Sequence, residues 1–497
     1  MSFDELRQVR VEKLENLKKA GINPFPAKVE FSATEIAIVK KDFSKHLKSK
    51  KGTAITGRIM AKREHGNAIF LDLFDGSTSL TTGGTEKLQA FIGRDQVGEA
   101  SFQLFSENID VGDFIAVSGK AFYTKRKEPT IEAKEWQILV KALRPLPEKW
   151  HGLQDVEERF RKRYLDLLMN DEVRNKFQMR ASITSTMREL LDKAGYIEVE
   201  TPVLQPLYGG ALAEPFKTHL NALDIDLYLK IAPELYLKRL LVGGFPKVYE
   251  LGKSFRNEGM DATHNPEFTT VELYEAYRDA EYLKDFIAQV LYSLIKKVIK
   301  KDSFEFAGNK IKFPKKIPSI TFWEVLERYA LIIQPDKLSR EDMVIKAKQF
   351  GLNPEPQDSK EKIANEIFSK ICRPKLIQPI YVVNHPIEIS PLAKNLPSNN
   401  GLVDRFQMII SGIEFVNGFS ELNDPIEQRA RFEFQEGLRG KEDKEAHPLD
   451  EDFIEALEYG MPPAAGLAVS IDRLTMLFSD THNIKEVILF PTMRPKE

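Results

Sequence analysis

A single cysteine, Cys372, stands in a chain of 497 residues. One thiol allows no internal disulfide and no cysteine-built zinc site, and it suits a reducing compartment. No run of about eighteen apolar residues occurs, so nothing reads as a membrane-spanning helix. The opening Asp4-Glu5-Leu6-Arg7 has no apolar stretch of the secretory type, which predicts a cytoplasmic protein. Charge of one sign is missing too: 72 Lys and Arg against 74 Asp and Glu give a net charge of −2. Overall charge therefore announces no nucleic-acid partner, and local basic segments would have to supply the contact. There is no internal repeat and no low-complexity tract. What remains is an ordinary globular composition, 42% hydrophobic and 29% charged, in a chain long enough for two or three domains.

Residues 4–20 read as an amphipathic helix, with Leu6, Val9, Leu14 and Leu17 spaced along it and Gly21 and Pro24 ending it. Its Arg7, Arg10, Lys13, Lys18 and Lys19 form either a solvated face or an RNA-backbone contact. Between 53 and 142 the pattern becomes short strands, at 53–62, 68–74, 87–92, 113–122 and 129–139. Turns such as Asp75-Gly76 and Thr82-Gly83-Gly84 separate several of them, which predicts a small antiparallel barrel; the oligonucleotide-binding (OB) fold is one such barrel. Alternation sends Ile69, Leu71 and Leu73 inward and Phe70 outward, where it would stack a base or simply lie on the surface. Residues 144–152 have the composition of a linker, and a charged helix at 155–169 follows. Beyond 171, helices at 173–194 and 282–300 alternate with strands at 227–230, 247–253, 268–274, 380–383 and 407–415. That order predicts an α+β domain on an antiparallel sheet flanked by helices, with a helical insertion near 336–370.

Two segments concentrate polar chemistry. The first runs from Phe255-Arg256-Asn257-Glu258-Gly259 through His264-Asn265-Pro266-Glu267-Phe268 to Thr269-Thr270-Val271-Glu272-Leu273-Tyr274. It has the form of a strand, a polar loop and a returning strand. A period of two puts Phe268, Thr270, Glu272 and Tyr274 on one face. At roughly 3.4 Å per residue that face spans about 20 Å, the length of an aminoacyl-adenylate. An aromatic for a base would sit at one end and a carboxylate for a cation at the other. The alternative is a half-polar strand on the outside of a sheet. The second segment, Glu414-Phe415-Val416-Asn417-Gly418-Phe419-Ser420-Glu421-Leu422-Asn423-Asp424-Pro425, sets carboxylates and amides into an apolar strand, which calls for a metal or an ammonium ligand. Strict alternation separates Glu414 from Asn417, Phe419 and Glu421; a bulge or turn at Gly418 would reunite them.

These segments resemble the class II aminoacyl-tRNA synthetases over nearly the whole chain. Gly195-Tyr196-Ile197-Glu198-Val199-Glu200-Thr201-Pro202 is similar to motif 1 of that class, the Arg256 loop through Phe268 to motif 2, and Ile471-Asp472-Arg473-Leu474 to the end of motif 3. Gly209-Gly210-Ala211, Ile231-Ala232-Pro233-Glu234 and residues 417–424 resemble the lysine-specific, bacterial-type members of class IIb. The resemblance implies an N-terminal helix plus OB-fold anticodon-binding domain at 1–142, a linker at 143–170 and a class II catalytic domain at 171–497. It implies a lysyl-tRNA synthetase activity: ATP and L-lysine form lysyl-adenylate, and lysine then passes to tRNA(Lys). Arg256 and Arg473 would be catalytic. ATP would meet Arg256, Glu258, His264, Asn265, Phe268, Glu414 and Arg473. Lysine would meet Gly210, Glu234, Arg256, Glu272, Tyr274, Asn417, Phe419 and Glu421. Mg²⁺ would be held by Glu414 and Glu421, with Gln407 a further position. Arg58, Phe70 and Gln89 would read the anticodon, and motif 1 would form a homodimer.

This chain departs from the family at three places. Gln407 stands where a carboxylate is usual, Ala468 and Ser470 replace glycines of motif 3, and Glu214 replaces a basic residue. The first reduces the charge offered to metal ions and the second raises the floor of the ATP pocket. A catalytically impaired RNA-binding or regulatory paralogue is therefore the alternative. Aspartate- or asparagine-specific synthetases would want basic or amide groups where this chain has Glu272, Tyr274 and Glu421.

Overall fold

The structure, a computed structural model, describes residues 2–49, 52–78, 85–147, 155–211, 213–439 and 448–496. It divides into two compact units, Met1–Asn175 and Lys176–Glu497.

The first unit opens with a helix, Phe3–Lys19, started by a capping box in which Ser2 and Glu5 satisfy each other's backbone amides. Its apolar stripe buries Leu14 and Leu17. Two of the basic residues read as a solvated face or an RNA contact are engaged within the unit instead. Arg10 donates to the carbonyls of Ala142 and Val111 at 2.9 Å each, and Lys13 pairs with Asp110 at 2.6 Å. Both fasten the helix to the barrel, because a side chain that rises from the boundary of the apolar stripe reaches the neighbouring element, not solvent.

The barrel strands are β1 (Thr53–His65), β2 (Ala68–Thr78), β3 (Thr85–Gly93), β4 (Phe114–Tyr123) and β5 (Pro129–Val140), closed in the order β1-β2-β3-β5-β4. Ile69, Leu71 and Leu73 are wholly buried in its core, as alternation requires. The long β2–β3 loop lies partly outside the described residues, and so do residues 148–154 of the linker. The charged helix expected at 155–169 is two, Val156–Arg161 and Arg163–Met169. The break at Lys162 (φ −109, ψ 47) turns Arg163 inward, where it pairs with buried Asp166 at 2.8 Å.

In the second unit a small sheet of β7 (Leu204–Gln205), β8 (Lys217–Leu220) and β9 (Ile225–Leu229), and a hairpin of β12 (Ser303–Phe306) and β13 (Asn309–Lys312), lie apart from a larger sheet. The larger comprises β6 (Ile197–Glu198), β10 (Lys247–Phe255), β11 (Glu267–Ala276), β14 (Ser319–Thr321), β15 (Ile380–Pro386), β16 (Asn395–Leu396), β17 (Asn399–Ile410), β18 (Ile413–Ser420) and β19 (Ala464–Ser470). Its order is β14-β15-β17-β18-β19-β11-β10-β6, with β16 paired to β17. Only the edge strands β14 and β6 pair in parallel; the pairs between them are antiparallel. Helices Asp171–Lys193 and Ala280–Val298 cover one face, joining Met187, Leu191, Leu283 and Ile287 to Val271, Leu273 and Leu467. The other face is left for a cavity.

The segment expected as one strand at 407–415 is a hairpin. β17 and β18 meet through Ser411 (φ +50) and Gly412 (φ +76), consecutive left-handed residues of the kind that a two-residue β-turn demands. The Ser-Gly pair carried that signal. The insertion holds helices Arg340–Gln349 and Lys360–Ile367, and its own apolar cluster buries Cys372.

Candidate active site

The open face of β11 is the floor of the site. Phe268, Thr270, Glu272 and Tyr274 line a cavity of roughly 380 Å³, while Val271 and Leu273 between them point into the helix-covered core. The period-two reading of this strand holds.

At one end, the motif 2 loop and the first turn of the helix Ile471–Phe478 bring cations together. The Arg256 guanidinium lies 5.1 Å from the Phe268 ring centre, and its buried Nε has no partner. Burial pushes the Arg256 pKa down, against the pull of Glu258 and Glu272. Arg473 donates to the Glu414 carbonyl at 2.8 Å. Its neighbour Asp472 fixes that direction: wholly buried, it pairs with Arg180 at 2.5 Å and accepts from the Thr269 amide at 2.6 Å. Ser470, one of the replaced glycines, caps the same helix by accepting from the Arg473 amide at 3.2 Å. In the loop, Asp261 accepts from the Thr263 and His264 amides at 2.6 and 2.8 Å and lies 2.9 Å from His264 Nδ1. That leaves His264 Nε2 turned toward Arg473, 3.5 Å away. Glu258 is exposed, and Asn265 is buried with its Oδ1 unpartnered.

At the other end the cavity closes around carboxylates. Glu234, first residue of the helix Glu234–Val242, is buried beside Gly210, whose φ of +86 excludes most side chains and whose added Cβ would lie 2.9 Å from Glu234 Cβ. Glu272 is pushed up to about 8 by burial and by nearby Glu234. Glu421 is held well above the carboxylate range by its complete burial, against the pull of Lys238. Gly466 makes room for both neighbours: a Cβ there would stand 2.2 Å from Tyr274 Cε1 and 2.4 Å from Glu421 Oε1.

The bulge that reunites Glu414 with its fellows exists, but not at Gly418. Gln407 pairs with Asn417, Met408 with Val416, and Ile409 with Glu414, so Phe415 is the extra residue. Gly418 serves packing instead, since a Cβ there would lie 2.7 Å from Leu467 Cβ and from Phe406 Cζ. The shift at Phe415 gives Glu414 the same side as Gln407 and Asn417. Two groups of this wall were not read from the sequence. Arg405, half-buried, donates to Asn417 Oδ1 at 3.0 Å and to Ile389 O and Ser390 Oγ at 2.8 Å, orienting the Asn417 amide. His385, whose pKa burial pulls to about 3, stays neutral and lies 3.1 Å from Gln407 Oε1. An Arg on the strand before the hairpin was the one available signal for Arg405; nothing in the local pattern marks His385.

Gln407 thus presents its amide hydrogens, not its oxygen, to Glu414 at 2.7 Å. Glu421, expected on a metal with Glu414, faces the Lys238 ammonium at 2.5 Å. Among the described residues no group of three or more His, Cys, Asp or Glu could hold a metal ion. The donor set fits a divalent ion brought on phosphates, with Glu414 as the protein's carboxylate, and does not fit a cage built by protein alone.

On the barrel, Arg58, Phe70 and Gln89 share the outer face. Phe70 pairs with Phe91 across the strands, and Gln89 with Asp72, one pleat along. The Phe70 and Phe91 rings are 5.1 Å apart and the Phe122 ring is 6.3 Å beyond, an aromatic row of which the sequence had shown only the first. Arg58 lies over Phe114 at 4.3 Å, and Gln89 Oε1 accepts from Thr130 at 3.0 Å.

Comparison with known proteins bears on both units. Residues 155–494 match the model of tRNA synthetases class II (D, K and N), and residues 53–139 match that of the OB-fold nucleic acid binding domain. A lysine–tRNA ligase of Moorella thermoacetica is 45% identical over 494 residues, covering 99% of each chain. Similar relatives carry the same name in Carboxydothermus hydrogenoformans (45% identical, 100% of this chain and 99% of the other) and Clostridium botulinum (44%, 99% and 96%).

Proposed function

The chain belongs to the class II tRNA synthetases (D, K and N), and we propose from that premise that it activates lysine with ATP and attaches it to tRNA. The observation that carries the choice of amino acid is the closed end of the cavity, lined by Glu234, Glu272 and Tyr274, with Glu421 buried behind Tyr274 and acting on it. A ligand carrying an acidic or amide side chain brings only its α-ammonium and leaves the carboxylates one cation short, at a cost of roughly 1–3 kcal/mol or more for the unpaired group.

In the first step a lysine carboxylate oxygen attacks the α-phosphorus of ATP, and the bond to pyrophosphate breaks. Arg256 bridges the two reacting anions, and Phe268 carries the adenine ring with Glu258 and Asn265 at its edge. Arg473 and His264 hold the departing phosphates so that they leave in line. Glu234 and the Gly210 backbone receive the α-ammonium; Tyr274 and Glu421 receive the ε-ammonium, with Glu272, Asn417 and Phe419 completing the wall. A magnesium ion on Glu414 would neutralise phosphate charge. In the second step a ribose hydroxyl at the tRNA 3′ end attacks the lysyl carbonyl and AMP departs. No covalent enzyme intermediate is required.

Lysine-dependent exchange of pyrophosphate into ATP tests this reading. Exchange with lysine, and none above background with aspartate or asparagine, is expected; its absence with lysine overturns it. The aromatic row with Arg58 and Gln89 supports anticodon binding by stacking. Phe70→Ala is expected to lower the rate of tRNA charging on the order of tenfold or more, one stacked base being worth about 1–3 kcal/mol. It should leave exchange unchanged, and equal loss in both assays would count against it. Gln407→Glu, which removes the amide donor and adds a carboxylate beside Glu414, should increase the Mn²⁺ bound with a non-hydrolysable ATP analogue, read by electron paramagnetic resonance. A homodimer is supported by exposed Ile197, Val203 and Leu204 beside residues 195–202; a monomer by light scattering would exclude it. A cytoplasmic location agrees with the lone buried thiol.

A further inference from the structure

Behind the closed end of the cavity sits a cation that the reaction does not use. Lys238 is wholly buried one turn after Glu234 on the helix Glu234–Val242. Its ammonium lies 2.6 Å from Glu234 Oε1 and 2.5 Å from Glu421 Oε2, and 5.4 Å from the Phe419 ring centre. Glu421 Oε1 remains on the side of Gly466 and Tyr274, without a hydrogen-bond partner. Two guanidiniums act on the cluster without a hydrogen bond to it: Arg405, held by Asn417, Ile389 and Ser390, on Glu234, and Arg256, beside the Phe268 ring, on Glu272.

We infer that Lys238 is a positioning residue that sets amino-acid specificity, a built-in ammonium that leaves the three buried carboxylates in need of two more. The inference rests on the lysine reading of the site. Glu234, Glu272 and Glu421 make three carboxylates; Lys238 supplies one ammonium, and a bound lysine supplies the α- and ε-ammonium groups. Three ammonium groups then balance three carboxylates, Glu272 giving up the proton that burial lets it keep in the empty site, while the lysine carboxylate meets Arg256. A buried charge that lacks its partner is strongly unfavourable, so the balance matters more than any single contact. Lys238 also fixes direction. By holding one oxygen of Glu234 and one of Glu421 from behind, it leaves Glu421 Oε1 on the side of Gly466 and of Tyr274, which lines the cavity. A ligand with one ammonium, such as norleucine, leaves a carboxylate over; a ligand with two fits.

The count makes an unusual demand on a double-mutant cycle. Glu421→Gln alone leaves three ammonium groups for two carboxylates, and kcat/KM for lysine in the exchange reaction should fall by on the order of a hundredfold or more. Adding Lys238→Met restores two for two. The double variant should therefore use lysine better than Glu421→Gln, by about tenfold, although it has lost a second pocket residue. KM for ATP should stay within about twofold throughout, this half of the site being separate. A buried lysine with a merely structural role makes the double variant the worse of the two, and that result, or equality, overturns the inference. Circular dichroism and thermal melting establish that both variants are folded. Should Lys238→Met alone fail to fold, the comparison of Glu421→Gln with the double variant still decides. Absence of lysine-dependent exchange in the unaltered protein is a different failure, and it removes the lysine reading itself.

Discussion

Arg256→Leu is expected to lower kcat/KM for pyrophosphate exchange by on the order of a thousandfold, more than any other single change in the ATP half. The Arg256 guanidinium lies 5.1 Å from the Phe268 ring centre, its buried Nε is unpartnered, and burial has already lowered its pKa. These are the marks of a group whose partner is the ligand. A preorganised donor aimed at developing charge is worth roughly 10²–10³ in rate, and here it faces both reacting anions. Leucine keeps the apolar contact with Phe268, so the loss should fall on kcat. A variant with unchanged kcat and raised KM would assign Arg256 to ground-state binding only.

Gly466→Ala should produce a large effect in the lysine half from the smallest chemical change. The added methyl would stand 2.2 Å from Tyr274 Cε1 and 2.4 Å from Glu421 Oε1. Contacts that short force both side chains to move, and both belong to the closed end of the cavity. Overpacking of this kind costs about 1–3 kcal/mol in stability. The displacement of Tyr274, which lines the cavity, and of Glu421 behind it should further raise KM for lysine by roughly 10–100-fold, a 1 Å misplacement being enough for the larger figure. KM for ATP is expected to hold. Ala468, two residues along the same face, already carries that methyl opposite Glu272 and Asn417. If Gly466→Ala leaves KM for lysine unchanged, Tyr274 and Glu421 do not touch the substrate.

Much of this was legible in the sequence, because the relevant patterns are short-ranged. The alternation of β11 declared its cavity face, and that of β2 declared Phe70, since period two depends only on the chain's own pleat. Pairing Glu234 with Lys238 was available in principle from their spacing of four on a helix. What could not be read depends on distant partners. The bulge at Phe415 is a property of the register between β17 and β18, and Gly418, the obvious local suspect, is a glycine because Leu467 and Phe406 press on it. The Lys238–Glu421 contact joins a helix to the far end of a strand from another part of the sheet. Arg10 and Lys13 read from the sequence as a solvated face or an RNA-backbone contact, and only the packed barrel shows them spent on Val111, Ala142 and Asp110.

The one-residue bulge at Phe415 also bears on how the gene for such a chain can change. A point substitution between Glu414 and Asn417 alters one side chain. Deletion of a single codon there would do more: it would cancel the bulge, restore strict alternation and turn Glu414 away from Gln407 and the cavity. The hairpin turn at Ser411 and Gly412, held by left-handed backbone, offers no slack to absorb the shift. This stretch should therefore tolerate replacement far better than any change in length.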